Sequence, residues 1–447
     1  MPLHLAGLLG DGDAVVPVSV ADAEGAAYVA GSDVLRLADG SLRYVPEGRD
    51  EPVTVPAGDL GAAESAGRTR EWLALGEVPG RIGVELDAAA RALLDLRLLT
   101  RSNGAVAAAW HGAWRYSWPR DASWVCVALA LTGHLAEARA ILGFLARTQR
   151  ADGTWDARVR LDGSGPPDDR PRQLDANGWV PWAAWAYAGA ADGVGGWGSG
   201  GGGGIGGWGS GGGGGIDLEL YRMVVRACDH VAAGLGRDGL PPVTPDYWET
   251  RTRKHTIGAA APLLAGLHAG VALAVVEGRR AYAARWSDAA ARLADGIERA
   301  FAATGYHRTP DPASGADAAV TFLAPPFAPE RPDVTAAVLD ARRRLTRPDG
   351  GVAPGERWAG AESWTPETGF FALAAAASGR YGEASETIAW LTAHRTSLGA
   401  LPEKVTPDGA PASVAPLAWT AAVLVLALLA RDQGMPTPPV PEREALR

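Results

Sequence analysis

Residues 121–140 read Asp121-Ala122-Ser123-Trp124-Val125-Cys126-Val127-Ala128-Leu129-Ala130-Leu131-Thr132-Gly133-His134-Leu135-Ala136-Glu137-Ala138-Arg139-Ala140. An apolar helical stretch stops at Thr132-Gly133, and an Ala-rich helix begins almost at once, with Glu137-Ala138 early in it. A link this short leaves two helices lying side by side as a hairpin. Ser378-Gly379-Arg380-Tyr381 repeats the design, followed by Glu383-Ala384. Working outward from these links, the texture is helical from about Ile82 onward. Helices are expected over 83–99, 121–132, 134–149, 176–191, 217–234, 255–276, 278–303, 333–347, 365–378, 380–394 and 416–431. Helix hairpins repeated roughly six times predict an all-α chain, an (α/α)6 toroid or helical barrel. An all-α solenoid would give a similar count.

Two regions depart from that texture. Residues 1–65 form a small β-rich N-terminal cap, in which short runs such as Val15-Val16-Pro17-Val18 and Leu42-Arg43-Tyr44-Val45 alternate with turn residues. Asp39-Gly40 between two runs marks a hairpin. The helical barrel then spans 80–435 and is interrupted at 193–216, where residues 195–205 and 206–216 are identical glycine-rich copies. So many glycines cannot belong to a packed element, because ordering their backbone costs too much entropy. A flexible surface insertion is expected there.

At 447 residues the chain has ample length for a large core. Hydrophobic residues make up 47% and charged ones 21%, a globular balance. A net charge of −9 argues against nucleic acid or an anionic membrane as partner. The two cysteines, Cys126 and Cys228, fall in apolar stretches and read as buried free thiols. Met1-Pro2-Leu3-His4-Leu5 lacks the basic start and long apolar core of a signal peptide. The most apolar run, Ala415 to Ala430, is shorter than the roughly 20 residues that span a bilayer. A soluble, cytoplasmic protein is expected.

Metal and nucleotide motifs are absent: there is no H-E-x-x-H, no C-x-x-C pair, no P-loop and no G-x-S-x-G, and no two of the eight histidines have ligand spacing. No cofactor and no metal are expected, so the chemistry falls to carboxylates. Three segments carry it. Trp118-Pro119-Arg120-Asp121 places a cation and an anion side by side among Trp114, Trp118 and Trp124. Indole faces stack on sugar C–H surfaces while Arg and Asp direct hydrogen bonds to hydroxyls. The alternative is that Asp121 merely caps a helix and Arg120 pairs with a surface carboxylate. Glu249, in Tyr247-Trp248-Glu249-Thr250, and Glu403, in Leu401-Pro402-Glu403-Lys404, sit on loops between helices beside aromatic or apolar neighbours. Such surroundings raise a carboxyl's pKa and suit acid–base work, although a loop Glu is more often simply solvated.

Taken in order, Trp118-Pro119-Arg120-Asp121-Ala122, Tyr247-Trp248-Glu249, Leu401-Pro402-Glu403 and Leu417-Ala418-Trp419 resemble glycoside hydrolase family 15, across residues 82–431. This is the glucoamylase family, with glucodextranases and bacterial trehalases. The resemblance implies an (α/α)6 barrel and an inverting, exo-acting α-glucoside hydrolase that takes an α-linked glucose oligosaccharide or disaccharide. It implies Glu249 as general acid and Glu403 as general base. Arg120 and Asp121 would hold the terminal glucose, Trp118, Trp248 and Trp419 would line its pocket, and Arg357 is the nearest match to a further pocket arginine. Gln173-Leu174-Asp175 resembles a rim segment. The chain departs from the pattern at Thr250, where a second acid is common, and in its short N-terminal region. A non-catalytic glucan-binding or regulatory protein on the same toroid is the alternative, and a trehalase is the alternative within the family. Another helical-barrel enzyme ranks lower: a terpene cyclase would need a D-D-x-x-D motif, and Asp168-Asp169 stands alone.

Overall fold

The computed structural model describes residues 2–81, 83–193 and 216–440; the glycine-rich tandem lies outside the described residues. The N-terminal region opens with an antiparallel hairpin of β1 (Gly7–Asp11) and β2 (Ala14–Val18). A four-stranded antiparallel meander follows: β3 (Ala27–Tyr28), β4 (Leu35–Arg36), β5 (Leu42–Tyr44) and β6 (Val53–Val55). Asp39-Gly40 turns β4 into β5, with Gly40 at φ 83° and the Asp39 carboxylate accepting from Ser41 N at 2.9 Å.

Every expected helix forms. They are α2 (Gly83–Leu99), α3 (Pro119–Leu131), α4 (Leu135–Thr148), α5 (Ala176–Ala191), α6 (Leu218–Gly234) and α7 (Ile257–Val276). Then come α8 (Arg280–Phe301), α9 (Pro332–Leu345), α10 (Thr365–Ala377), α11 (Tyr381–Ala393) and α12 (Ala418–Gln433). One further helix was not anticipated, α1 (Leu60–Ala74), capped by Asp59 accepting from Ala62 N. Gly61 and Gly67 depress its local propensity, yet Ala62, Ala66, Thr69 and Leu73 give it a buried stripe, and packing supplies what propensity does not.

The contacts among helices return to their start. α3 packs on α5, α5 on α7, α7 on the 3-10 segment Ala318–Leu323, that segment on α10, α10 on α12, and α12 back on α3. α4, α6, α8, α9 and α11 pack outside this circuit, and α2 lies against α12. Helices α5 and α7 approach most closely at Gly178 and Gly266, where a Cβ on Gly266 would stand 2.5 Å from Gly178 Cα.

Aromatic side chains fill the centre. Trp124 lies within 5.2–6.2 Å, ring centre to ring centre, of Trp179, Trp182, Phe322, Phe327, Phe370 and Trp419. Trp124, fully buried, is therefore core, not a sugar-facing residue. The core also corrects the hydropathy reading. α7, at 20 residues, is by length and composition the one described helix that could cross a membrane, ahead of the Ala415–Ala430 run. Its most apolar window is 89% buried, which fits a core helix. Cys126 and Cys228 are both buried and unbridged.

Candidate active site

The site lies where loops from distant parts of the chain meet above the aromatic centre. There a pocket of about 320 Å³ is lined by Trp118, Arg120, Asp121, Trp248, Glu249, Glu403 and Trp419, among others. That volume suits a small ligand. Seven of the eight anticipated residues thus come together.

α3 supplies the floor. Pro119 occupies the first helical position, so the helix starts two residues earlier than read, and Trp118 is its N-cap. Asp121 consequently stands in the first turn rather than at the cap, and its Oδ2 has no hydrogen-bond partner. Arg120 Nη1 donates to Gln173 Oε1 at 2.7 Å and to Asp175 Oδ2 at 3.0 Å, so the segment that resembled a pocket rim instead clamps this guanidinium from behind. The guanidinium lies over the Trp419 ring at 4.9 Å. Burial disfavours the Arg120 charge, but Asp175, Asp121 and Glu249 outweigh that and hold it protonated. Burial pushes Asp121 up to about 6, with Arg120 opposing.

Glu403 enters through a small antiparallel sheet of β7 (Ser363–Trp364), β8 (Lys404–Val405) and β9 (Pro411–Ala412). Ser413 Oγ donates to Glu403 Oε2 at 2.5 Å and Trp114 Nε1 donates to Oε1 at 3.1 Å; Lys404 Nζ is 3.8 Å from Oε2. Ser413 has φ 68°, a conformation costly for a residue with a Cβ, and its backbone carbonyl accepts from His4 N at 2.9 Å. The N-terminal segment therefore braces the residue that orients Glu403.

Glu249 also has positive φ, 56°, with its N–H donating to Asp246 O at 2.8 Å. Asp246 is fully buried and takes two hydrogen bonds from Arg308, at 2.8 and 3.0 Å, and Arg308 stacks 3.8 Å over the Trp248 ring. This buried brace holds the Trp248–Glu249 turn. The surroundings of Glu249 differ from those expected. Instead of apolar neighbours it meets donors: Trp118 Nε1 at 2.6 Å, Arg170 in a close ion pair, and Arg120 Nη2 at 3.6 Å. Arg170 is shared with Asp168, which also pairs with Arg158 at 2.6 Å, and the hydrogen bonds from Arg170 hold the Asp168 carboxyl down at about 2.

Arg357 is the exception. It is exposed, donates to Ala313 O at 2.9 Å, and does not line the pocket. Its neighbour Trp358 does, packing edge-on between Trp248 and Trp364 at 4.7 and 5.0 Å. Arg158, Arg170, Trp364 and Glu367 also line the pocket and were not anticipated. The clustering of Arg158, Asp168 and Arg170 around a Pro-rich loop was a visible charge signal, but spacing alone could not place that loop over Glu249.

Six buried polar atoms on pocket residues lack a hydrogen-bond partner among the described residues: Arg120 Nε, Asp121 Oδ2, Arg158 Nε, Trp248 Nε1, Glu367 Oε2 and Trp419 Nε1. Buried polar groups are normally satisfied, and each orphan costs about 1–3 kcal/mol. Both donors and acceptors are in this set, which suits a ligand carrying several hydroxyls. Among the described residues, no group of three or more His, Cys, Asp or Glu comes together to hold a metal ion.

No family model matches the chain, and no curated protein matches it by sequence. Solved structures do. A wild-type glycosidase superimposes with TM-score 0.63 at 19% identity, covering 78% of this chain and 97% of its own. A bacterial glucoamylase complexed with acarbose gives 0.62 at 16% identity, covering 85% of this chain and 63% of its own. The glucoamylase of Saccharomycopsis fibuligera gives 0.60 at 14% identity, covering 79% and 96%. The fold is shared with glycosidases. At these identities the likeness is of fold, and the chemistry rests on the pocket.

Proposed function

We propose that this protein is an exo-acting, inverting hydrolase of α-linked glucosides, on an (α/α)6 toroid in which the 3-10 segment at 318–323 takes the place of one inner helix. The division into a β-rich unit, 1–65, and a helical unit, 80–435, belongs to the same reading. The observation that carries it is the convergence of Glu249 and Glu403 on one pocket whose floor is the clamped Arg120–Asp121 pair. The complexes of a neighbouring glucoamylase with acarbose and of a glycosidase variant with glucose support a sugar as ligand.

The chemistry follows from the two carboxylates. Inversion needs an acid to protonate the leaving oxygen and a base to activate water on the opposite ring face, with carboxyls about 6.5–9.5 Å apart. Glu403, oriented by Ser413 and Trp114, acts as the base toward water. Glu249, on the side of Trp118 and Arg170, acts as the acid. Arg120 and Asp121 take ring hydroxyls and strengthen those bonds as positive charge grows at the sugar carbon. Trp419, Trp248 and Trp358 give the ring apolar faces to stack on. A pocket of this size admits a chain end, which makes release of single glucose units the expected outcome.

The test is hydrolysis of maltose, isomaltose, trehalose and starch by the wild type and by Glu249→Gln and Glu403→Gln. Each substitution should lower kcat by about 10²–10⁴-fold, the usual worth of a general acid or base. Full activity in either variant removes that residue from its role. A second reading, a non-catalytic glucan-binding protein, draws on the Arg170–Glu249 ion pair, which engages the acid with a cation. Calorimetric binding of maltose without turnover would favour it.

A further inference from the structure

Glu367 is a pocket carboxyl that the chemistry above does not use. It stands third in α10, after Thr365-Pro366, is 3% exposed and lines the pocket. Pairing of Trp364 with Lys404 across β7 and β8, and donation from Thr365 N to Glu403 O at 3.1 Å, bring the start of α10 beside the general base. Its position would suit a capping glutamate that reaches back to the N-cap N–H. That N–H is already engaged: Trp364 N donates to Val352 O at 2.8 Å. Oε2 has no hydrogen-bond partner among the described residues. A buried carboxyl oxygen without a hydrogen-bond partner is costly, and the surrounding fold retains it nonetheless.

We propose that Glu367 is a sugar-binding residue, whose Oε2 hydrogen-bonds a hydroxyl of the terminal sugar unit held over Arg120 and Trp419. The role rests on the hydrolase reading above and adds a specificity determinant to it. The carboxyl works as a neutral donor. Burial pushes it up to about 8; a hydrogen bond from its own backbone N–H opposes, Glu403 and Asp317 push upward, and Arg120 opposes. Tyr247, which donates to Asp317 at 2.7 Å, is a further titratable group beside it, and Asp121 and Glu249 line the same pocket. α12, packed on α10, carries none before Arg431, and Glu383 and Glu386 of α11 face Arg342. Below its titration the acid donates its proton to a sugar oxygen. Above it, only hydroxyl-to-carboxylate bonds remain, and a charge is left in a buried site.

Glucose binding measured by calorimetry from pH 6.5 to 9.5, alongside hydrolysis of maltose, isomaltose and trehalose, tests this. The wild type should lose at least fivefold in glucose affinity as pH rises through about 8. Glu367→Gln, which keeps an N–H donor, should bind within threefold of the wild type at pH 7 and lose no affinity at higher pH. Glu367→Ala should bind at least tenfold more weakly while KM rises more than kcat falls. A flat wild-type profile overturns the proposal, as does unchanged binding in Glu367→Ala, or loss of kcat with binding intact. If the wild type hydrolyses a glucoside but Glu367→Ala is unchanged, only the Glu367 role falls. If the wild type neither binds glucose nor hydrolyses any substrate, the hydrolase reading falls and takes this role with it.

Discussion

Around Glu403, Ser413 Oγ and Trp114 Nε1 donate and Lys404 Nζ stands 3.8 Å away, while Oε2 of Glu367, in the first turn of α10 next to β7, has no hydrogen-bond partner among the described residues. Burial of that oxygen sets Glu367 apart within the pocket. It also gives Glu367 a signature in stability. Its folded-state pKa, about 8, lies above the ordinary 4.5. Between those values the unfolded chain has released a proton that the folded chain retains, so the stability due to this group falls as pH rises across that window and stays low above it. Glu367→Gln has no proton to lose. The melting temperature of Glu367→Gln, relative to wild type, should therefore climb between about pH 4.5 and 8 and level off beyond. Thermal melts of both proteins from pH 4 to 9.5 would show this, and parallel curves would contradict it. Residues carrying a neighbour-dependent motif were legible in the sequence: Arg120, Asp121, Glu249 and Glu403 all reach the pocket. Glu367 and Arg170 were not, because their significance comes from burial and from partners far away in the chain. Arg357 failed for the reverse reason: it was placed by proximity in sequence, and the turn at 355–358 presents Trp358 to the pocket while Arg357 faces outward to Ala313.

Among the elements, helix existence was read well because apolar runs and Gly links are local signals, as the α3–α4 and α10–α11 hairpins show. α1 escaped because its stripe is short and broken by glycines, and β1 because Gly7-Leu8-Leu9-Gly10 gives no alternation. What the sequence could not convey is how closely elements approach. At the α5–α7 crossing a Cβ on Gly178 would stand 2.0 Å from Pro262 O, and backbone cannot move aside cheaply. Gly266→Ala at the same crossing should destabilise the protein by about 1–3 kcal/mol, the usual cost of overpacking. Gly67→Ala, on the open side of α1 where nothing lies within 4 Å, should instead stabilise by about 0.5–1 kcal/mol. Chemical denaturation midpoints of the two variants would move in opposite directions; equal effects would mean that the crossing is not tight.

For the molecule as a whole, the circuit of packed helices around an aromatic centre has a functional consequence. With Trp124, Trp179, Trp182 and Phe327 filling the middle, the pocket has a closed floor, and ligand must enter from the loop side. The N-terminal region reaches this same side. Leu3 bridges to Ser413, His4 stacks on His111 at 4.4 Å, and Thr396 Oγ1 donates to Ala6 O at 2.6 Å. The N-terminal segment is thus tied to the loop that orients Glu403, a link that no local pattern announced. The circuit brings Arg120 in the first turn of α3 and Glu249 and Glu403 from two separate inter-helix loops to one pocket, and that convergence is the basis for the proposed acid and base. The anomer released first decides whether the hydrolysis inverts. With maltose, isomaltose or trehalose as substrate and proton NMR following the earliest turnover, inversion yields β-glucose, appearing before mutarotation. α-Glucose as the first product would contradict it.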